Sequence, residues 1–177
     1  MGDNVRRMLL LEPLRTTDDA PLLAELTALH ASNRDFYSLS GDFPDADDIR
    51  PEQVAAVMEE ELAHPDVEVL VARDEGRVVG LVITLAHHPD PADPDPWIGL
   101  LIVDAEEQRK GYGRELARRV EERFRLGGRD GVRLAVLDNN PRGLAFWTTL
   151  GYEVVDRRAD LRMGRPCSVL RKALRSA

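Results

Sequence analysis

The sequence predicts an α/β protein: a central, mostly antiparallel sheet with one parallel strand pair and helices on both faces. Three observations carry this expectation. Apolar runs of strand length recur from residue 8 to residue 172, several of them joined by short turn signals that favour antiparallel pairing. Apolar stripes at helical spacing interrupt them at four places. The stretch 97–137 runs strand, helix, strand, and a right-handed crossover there lays two strands parallel.

Residues 8–14, MLLLEPL, read as a first strand, with Pro13 near its end suggesting a sheet edge. Thr16 and Thr17 are candidate helix caps, while Asp18, Asp19 and Pro21 suit a first turn. Leu22, Leu26 and Leu29, flanked by Leu23 and His30, form the stripe of a helix that should fade near Asn33. His30 reads as a partly buried helix residue. Residues 35–48 lack periodicity and carry Gly41, Pro44, Asp42, Asp45, Asp47 and Asp48, so a loop is expected. Pro51 opens a second helix with Val54, Val57, Met58 and Leu62 facing inward, ended by His64 and Pro65. Val67, Val69 and Val71 alternate as a strand, and Asp74-Glu75-Gly76-Arg77 turns it into a return strand at 78–85. Residues 87–96, HHPDPADPDP, cannot be regular structure and predict an exposed acidic loop. His87 and His88 lack a third ligand at defined spacing, so no metal is expected.

Trp97–Val103 is apolar without alternation, the pattern of a strand buried on both faces. A short acidic turn follows, and then Gln108, Arg109, Lys110, Gly111, Tyr112 and Gly113 lead into a helix with Leu116, Ala117, Val120 and Phe124 inward. Glu115 with Arg119 and Glu121 with Arg125 are i,i+4 pairs on its solvated face. Gly127, Gly128 and Gly131 break the helix, and 132–137 is the next strand. Asn140 can cap a fourth helix that Pro141 begins, with Leu144, Trp147 and Leu150 inward and Gly151 as its left-handed stop. Segments 152–157 and 166–172 close the sheet as an antiparallel pair, joined by a long basic connection, and fraying is expected past Ala173.

Length and composition fit one domain over residues 1–177. A net charge of −8 argues against nucleic acid or an anionic membrane as the main partner. No apolar run approaches the roughly 18 residues of a membrane helix. The N-terminal apolar patch is too short for a signal peptide, and Gly2 lacks the Ser or Thr that myristoylation prefers. Cys167 is the single cysteine, which leaves no internal disulfide and no metal cluster. A cytoplasmic protein is expected.

A glycine-bearing turn that enters a helix after a buried strand is an anion site. The first backbone N–H groups have no intrahelical acceptors, and the helix dipole adds partial positive charge. A dinucleotide fingerprint would need glycine where Leu116 stands, and a phosphate loop would need Gly-Lys-Ser/Thr. Gln108-Arg-Lys-Gly-Tyr-Gly113 after an apolar strand instead resembles the coenzyme A loop of the Gcn5-related N-acetyltransferase (GNAT) family. The run 140–152, NPRGLAFWTTLGY, resembles that family's Asn-x-x-Ala-x-x-Phe-Tyr-x-x-x-Gly-Phe, and the order of elements is similar along nearly the whole chain.

The resemblance implies an acetyl-CoA-dependent N-acetyltransferase. Gln108, Arg109, Lys110, Gly111, Tyr112 and Gly113, with Arg114, would hold the coenzyme pyrophosphate. Ile102 and Val103 would hydrogen-bond the pantetheine amides in a gap between the central strand and 132–137. A backbone N–H at Leu101 or Ile102 would polarise the thioester carbonyl. Asn140 would touch the pantetheine arm, or only cap its helix, or do both. Trp147 stands at a coenzyme-facing position where the family often has an acidic tyrosine, and its indole N–H is no useful acid. Tyr152 is expected to pack, and the central strand carries no glutamate base, so no catalytic residue is assigned. The rival reading is an acyl-CoA-binding module that has lost catalysis. The acceptor is expected to be a small cationic or zwitterionic primary amine. It would lie between the aspartates at 42–48 and a wall of Arg157, Arg158, Arg162 and Arg165. The resemblance also allows a homodimer.

Overall fold

The structure, a computed structural model, describes residues 8–174. The signal-peptide and myristoylation expectations, and most of the expected C-terminal fraying, lie outside those residues. Seven strands are described, β1 (Leu10–Pro13), β2 (Val67–Asp74), β3 (Arg77–Leu85), β4 (Trp97–Val103), β5 (Gly131–Leu137), β6 (Glu153–Ala159) and β7 (Pro166–Ala173). They form one sheet in the order β1-β2-β3-β4-β5-β7-β6, antiparallel at every step except β4–β5. The expected mixed sheet is therefore present, with β1 on an edge as Pro13 suggested.

Helices cover both faces. On one face α1 (Ala20–Ser32), α2 (Arg34–Ser40) and α3 (Pro51–Leu62) pack Leu26, Leu29, Tyr37, Val54 and Met58 against Val69, Val71, Leu81 and Ile102. On the other, α4 (Tyr112–Leu126) and α5 (Pro141–Thr149) pack Leu116, Ala117, Val120 and Trp147 against Leu70, Val82, Ile98 and Leu134. Val67, Val69 and Val71 alternate in sequence, yet 69–72 are all buried, because their intervening neighbours Leu70 and Ala72 meet the second core. The turn at 74–77 is a tight hairpin, with Glu75 and Gly76 at φ 49° and 80°.

Several local expectations are corrected. The first helix is capped by Asp19, whose carboxylate accepts the Leu22 N–H at 3.1 Å, while Thr16 bonds Asp18 instead. Residues 35–40, expected within a loop, belong to α2, because Tyr37 finds ring partners in His30 and Phe43, and Phe36 packs on Tyr37, contacts the local sequence does not reveal. Glu115 pairs with Arg119 at 2.8 Å, but Glu121 turns inward to Tyr152 and Lys172 and leaves Arg125 to Glu122.

The largest correction concerns 87–96. Most of this loop is exposed as expected, but two of its acids turn inward: Asp93 and Asp95 are only 5% and 7% exposed. Asp93 meets Arg133 at 2.6 Å, Arg158 at 2.9 Å and His88 at 3.3 Å, and Asp95 meets Arg133 at 3.0 Å and Arg171 at 2.8 Å. Proline keeps the backbone irregular while the short aspartate side chains reach arginines on β5, β6 and β7. His88 stacks on Trp97 with ring centroids 4.7 Å apart, and the Arg158 guanidinium lies 5.6 Å from the Trp97 ring.

Candidate active site

The site begins where β4 and β5 part. They pair only at Trp97↔Arg133 and Ile98↔Leu134, reinforced by the Arg133 N–H on the Pro96 carbonyl at 2.9 Å. One residue later, Gly99 is skipped in the β3–β4 register: Thr84 faces Ile98 and Ile83 faces Leu100, a bulge on the central strand. Beyond it β5 continues along β7 while β4 loses its neighbour on that side. Gly99 is exposed, Leu100 and Leu101 are half-buried, and Ala135 across the gap is exposed. The expectation of a central strand buried throughout is thus corrected at its middle, because the parting of the strands removes the cover.

The peptide groups facing this gap follow from the ladder. The Asp104 N–H bonds the Val79 carbonyl at 2.9 Å, so the carbonyl of the same peptide, that of Val103, points away from β3. Alternation along an antiparallel pair then commits the backbone groups of Ile102 to Leu81 and turns those of Leu101 and Val103 toward the gap. The strand groups left available are therefore the N–H and carbonyl of Leu101 and the N–H of Val103, whose carbonyl accepts from Asn33 and Gln108, and Ile102 serves the sheet and core instead.

At the mouth of the gap a short 3₁₀ turn, Ala105–Glu107, precedes the glycine turn. Arg109 and Gly111 adopt φ of 64° and 90°, and Gly111 is the N-cap of α4 with no side chain capping that helix end. The helix N-terminus is thus presented through backbone alone. A Cβ at Gly111 would meet no protein atom within 4 Å, so the space over it is open. Side chains around the turn divide. Arg109 and Arg114 are exposed. Lys110 is drawn to Glu107 at 3.0 Å, and Arg77 binds the same carboxylate; these bonds, Lys110 first, hold the Glu107 carboxyl below its ordinary pKa. Tyr112 is buried and its hydroxyl donates to Asp74, so this tyrosine can offer the site only its backbone. Gln108 turns its amide onto Asn33 Oδ1 at 3.1 Å and the Val103 carbonyl at 3.2 Å.

Asn140 caps α5: its Oδ1 accepts the Gly143 N–H at 2.9 Å. A Cβ at Gly143 would lie 2.6 Å from Asn140 Nδ2, so glycine in place of the family's alanine makes room for this cap. Trp147 is 9% exposed and packs edge-on to Phe146 and Tyr152. Tyr152 is fully buried and donates to Glu121 at 3.0 Å; burial first, and that carboxylate second, push its phenol well above the ordinary tyrosine pKa. Neither aromatic is poised as an acid at neutral pH.

The two walls expected to receive an acceptor lie against each other. Arg165 on the β6–β7 connection donates to the Ser40 carbonyl at 2.6 Å and Asp42 at 3.1 Å, and Asn139 donates to the Leu39 carbonyl at 3.0 Å. The expected charge excess is largely cancelled: Asp47 pairs with Arg34, Asp48 with Arg50, Arg162 with Glu60 and Arg158 with Asp93. What remains open is a cleft of about 330 Å³ lined by Asp138, Arg157, Arg158, Ala159, Gly164, Pro166 and Cys167. Asn33, Gly99 and the Asp93–Asp95 pair escaped the sequence reading. Only Gly99 carried a local signal, since an isolated glycine within a strand marks a bulge or a close approach.

A parted parallel pair with a glycine turn and an uncapped helix N-terminus at its mouth defines an open gap suited to an anionic ligand, and sequence comparison gives the family. The profile described as the acetyltransferase (GNAT) family matches residues 27–152, and the chain belongs to that family of acetyl-CoA-dependent N-acetyltransferases. No curated protein matches the chain. Among solved structures, an acetyltransferase from Thermus thermophilus is similar with a TM-score of 0.71 and 23% identity, over 93% of this chain and 96% of that one. A spermidine N-acetyltransferase from Vibrio cholerae, in complex with CoA and spermine, has a TM-score of 0.65 and 15% identity over 94% and 95%. The ribosomal-protein-S18-alanine N-acetyltransferase from Escherichia coli has 0.62 and 16%, covering 96% of each chain. At these identities the structural likeness speaks for the fold. Among the described residues no helix is long and apolar enough to cross a membrane, and no group of three or more His, Cys, Asp or Glu could hold a metal ion.

Proposed function

We propose that this chain transfers the acetyl group of acetyl-CoA directly to the primary amine of a small zwitterionic acceptor. The observation that supports this most is the gap between β4 and β5, where the peptide groups of Leu101 and the Val103 N–H lack a strand partner and the gap opens onto an uncapped helix N-terminus. The N–H groups from Gly111 to Arg114 take the pyrophosphate, with Arg109 and Arg114 at hand for its charge. The Val103 N–H and the Leu101 carbonyl pair with the pantetheine amides. The Leu101 N–H polarises the thioester carbonyl and stabilises the negative charge that develops on its oxygen during attack. Asn140 keeps Nδ2 for the pantetheine arm while its oxygen caps α5. The new C–N bond forms as the C–S bond breaks. The amine proton leaves to water, and the departing thiolate is protonated from water, since no tyrosine is placed to do so.

The acceptor class rests on the cleft at the β6–β7 hairpin. It joins one carboxylate, Asp138, to Arg157, whose guanidinium makes no ion pair among the described residues. Those two groups suit the ends of an amino acid better than they suit a polycation. Protonation favours the same class. An amine with pKa about 10.4 is neutral roughly once in 10³ at pH 7, a penalty near 4.6 kcal/mol, whereas an α-amine near 7.8 loses only about 1 kcal/mol. The smaller penalty is manageable without a dedicated base. Thiol release from acetyl-CoA, measured against free amino acids and polyamines, tests the proposal. Faster turnover with an amino acid is expected; a clear preference for a polyamine contradicts the acceptor class, and no turnover with any amine favours a catalytically silent acyl-CoA binder.

A further inference from the structure

Asn33 is only 7% exposed and sits at the joint between α1 and α2. Its backbone N–H bonds the His30 carbonyl at 3.0 Å to end α1, and its carbonyl accepts the Tyr37 N–H at 3.1 Å to begin α2. The side chain reaches the other way. Nδ2 donates to the Leu29 carbonyl at 2.9 Å and to the Val103 carbonyl at 3.0 Å, and Oδ1 accepts from Gln108 Nε2 at 3.1 Å. Gln108 closes the triangle on the Val103 carbonyl at 3.2 Å, and beside it Ser32 Oγ accepts the Ala105 N–H at 3.1 Å. Every bond Asn33 makes outside its own helices thus ends on the last residue of β4 or on the first residue of the glycine turn.

We propose that Asn33 is a positioning residue that couples the last peptide of β4 and the first residue of the glycine turn to the α1–α2 joint, so that a ligand held along the gap restrains the backbone at 33–40. The inference rests on the coenzyme reading given above. The Val103 carbonyl already holds two amide donors, which fixes the orientation of the last peptide on β4 and with it the start of the turn at Gln108. A ligand drawn along β4 and into the turn restrains the Gln108 amide, and Asn33 passes that restraint to the carbonyl and N–H that join the two helices. Only an amide offers two donors and one acceptor at this position. Coupling of this kind is reciprocal, so whatever orders α2 also tightens coenzyme binding. The far end of α2 supplies Leu39 and Ser40, whose carbonyls hold Asn139 and Arg165 beside the open cleft.

Hydrogen exchange of the amides at 33–40, with and without coenzyme A, tests the coupling, alongside calorimetry of coenzyme A binding. In the wild type, coenzyme A should slow exchange at 33–40 several-fold. Asn33→Ala should lose that transmitted protection while still binding coenzyme A. Asn33→Asp, which keeps the acceptor for Gln108 but loses both donors, should not restore it. Should Asn33→Ala fail to fold, Gln108→Ala interrupts the same relay, and at coenzyme A concentrations that calorimetry shows to saturate this variant it is expected to uncouple 33–40 in the same way. Protection that survives in a folded Asn33→Ala or in Gln108→Ala overturns the proposal, as does tight binding without protection in the wild type. Absence of coenzyme A binding overturns the coenzyme reading, and the coupling with it.

Discussion

The same pair of strands is treated in opposite ways at its two ends. At Trp97 and Ile98, β4 is fastened to β5 by backbone pairing and by two buried aspartates shared among Arg133, Arg158 and Arg171. At Leu101 and Val103, three to five residues along, the strands have parted, and the Asn33 and Gln108 amides give polar cover to a single carbonyl. A sheet interior rarely leaves peptide groups unshared, because each orphan costs about 1–3 kcal/mol once buried. Here the open end borders exposed Gly99 and Ala135, and on the proposed reading its groups would be met by a ligand with amides of its own. The closed end keeps the opening from running through the sheet. Rigidity below the bulge at Gly99 would let availability above it serve as the proposed site rather than act as a defect.

Breaking the closed end should have the largest effect. Arg133→Met removes the cation that both buried carboxylates share, and stability should fall by about 3–5 kcal/mol, read as a lower urea midpoint. Acid should loosen the same end. Burial alone would raise the Asp95 pKa, but hydrogen bonds from Arg171 and Arg133 outweigh it and hold the carboxyl below its ordinary value. A carboxyl depressed in the folded state contributes stability above its unfolded pKa, near 3.8, and loses it as pH falls below that value toward the folded one. Urea midpoints measured between pH 5 and pH 3 should therefore drop more steeply for the wild type than for Arg133→Met.

At the open end the effect should fall on affinity and spare the fold. Gly111→Val places a branched side chain where φ is 90° and fills the free space over the α4 N-terminus. Strain of about 1–3 kcal/mol in the turn, together with a blocked approach for phosphate, should weaken coenzyme A binding roughly a hundredfold, as measured by calorimetry. Unchanged affinity in a folded variant would remove the glycine turn from the site. Beside the gap, the smallest effect is expected at Trp147. Trp147→Phe should lower stability by about 1–2 kcal/mol through lost packing against Phe146 and Tyr152, and leave the pH dependence of turnover unaltered. Loss of an alkaline limb would make this position an acid after all.

The open end was more legible in the sequence than the closed one, for physical reasons. Gln108, Gly111 and Gly113 follow directly on an apolar strand, so a local pattern carries both the helix start and its unused donors. Backbone commitment is not local: that Leu101 and Val103, and not Ile102, face the gap depends on which peptide meets Val79 across the sheet. The loop at 87–96 misled because proline and aspartate look alike whether solvated or folded inward. Its partners Arg133, Arg158 and Arg171 lie 38 to 76 residues away in sequence. Asn33 was legible as the end of a helix, while its second task depends on a contact 70 residues distant. The two loops expected to receive an acceptor carry charge that is plain in the sequence, but their mutual neutralisation, as in Arg165 with Asp42, needs both loops in place.

An amide-resolved titration of the protein with coenzyme A tests the contrast between the two ends most directly. Shifts concentrated at Leu101, Val103, Gly111, Gly113 and Arg114, with Trp97, Ile98 and Arg133 unmoved, are the expected result. Shifts of equal size at the closed end, or a coenzyme that binds without disturbing Leu101, Val103 and the glycine turn, would contradict the assignment of the gap as the coenzyme site.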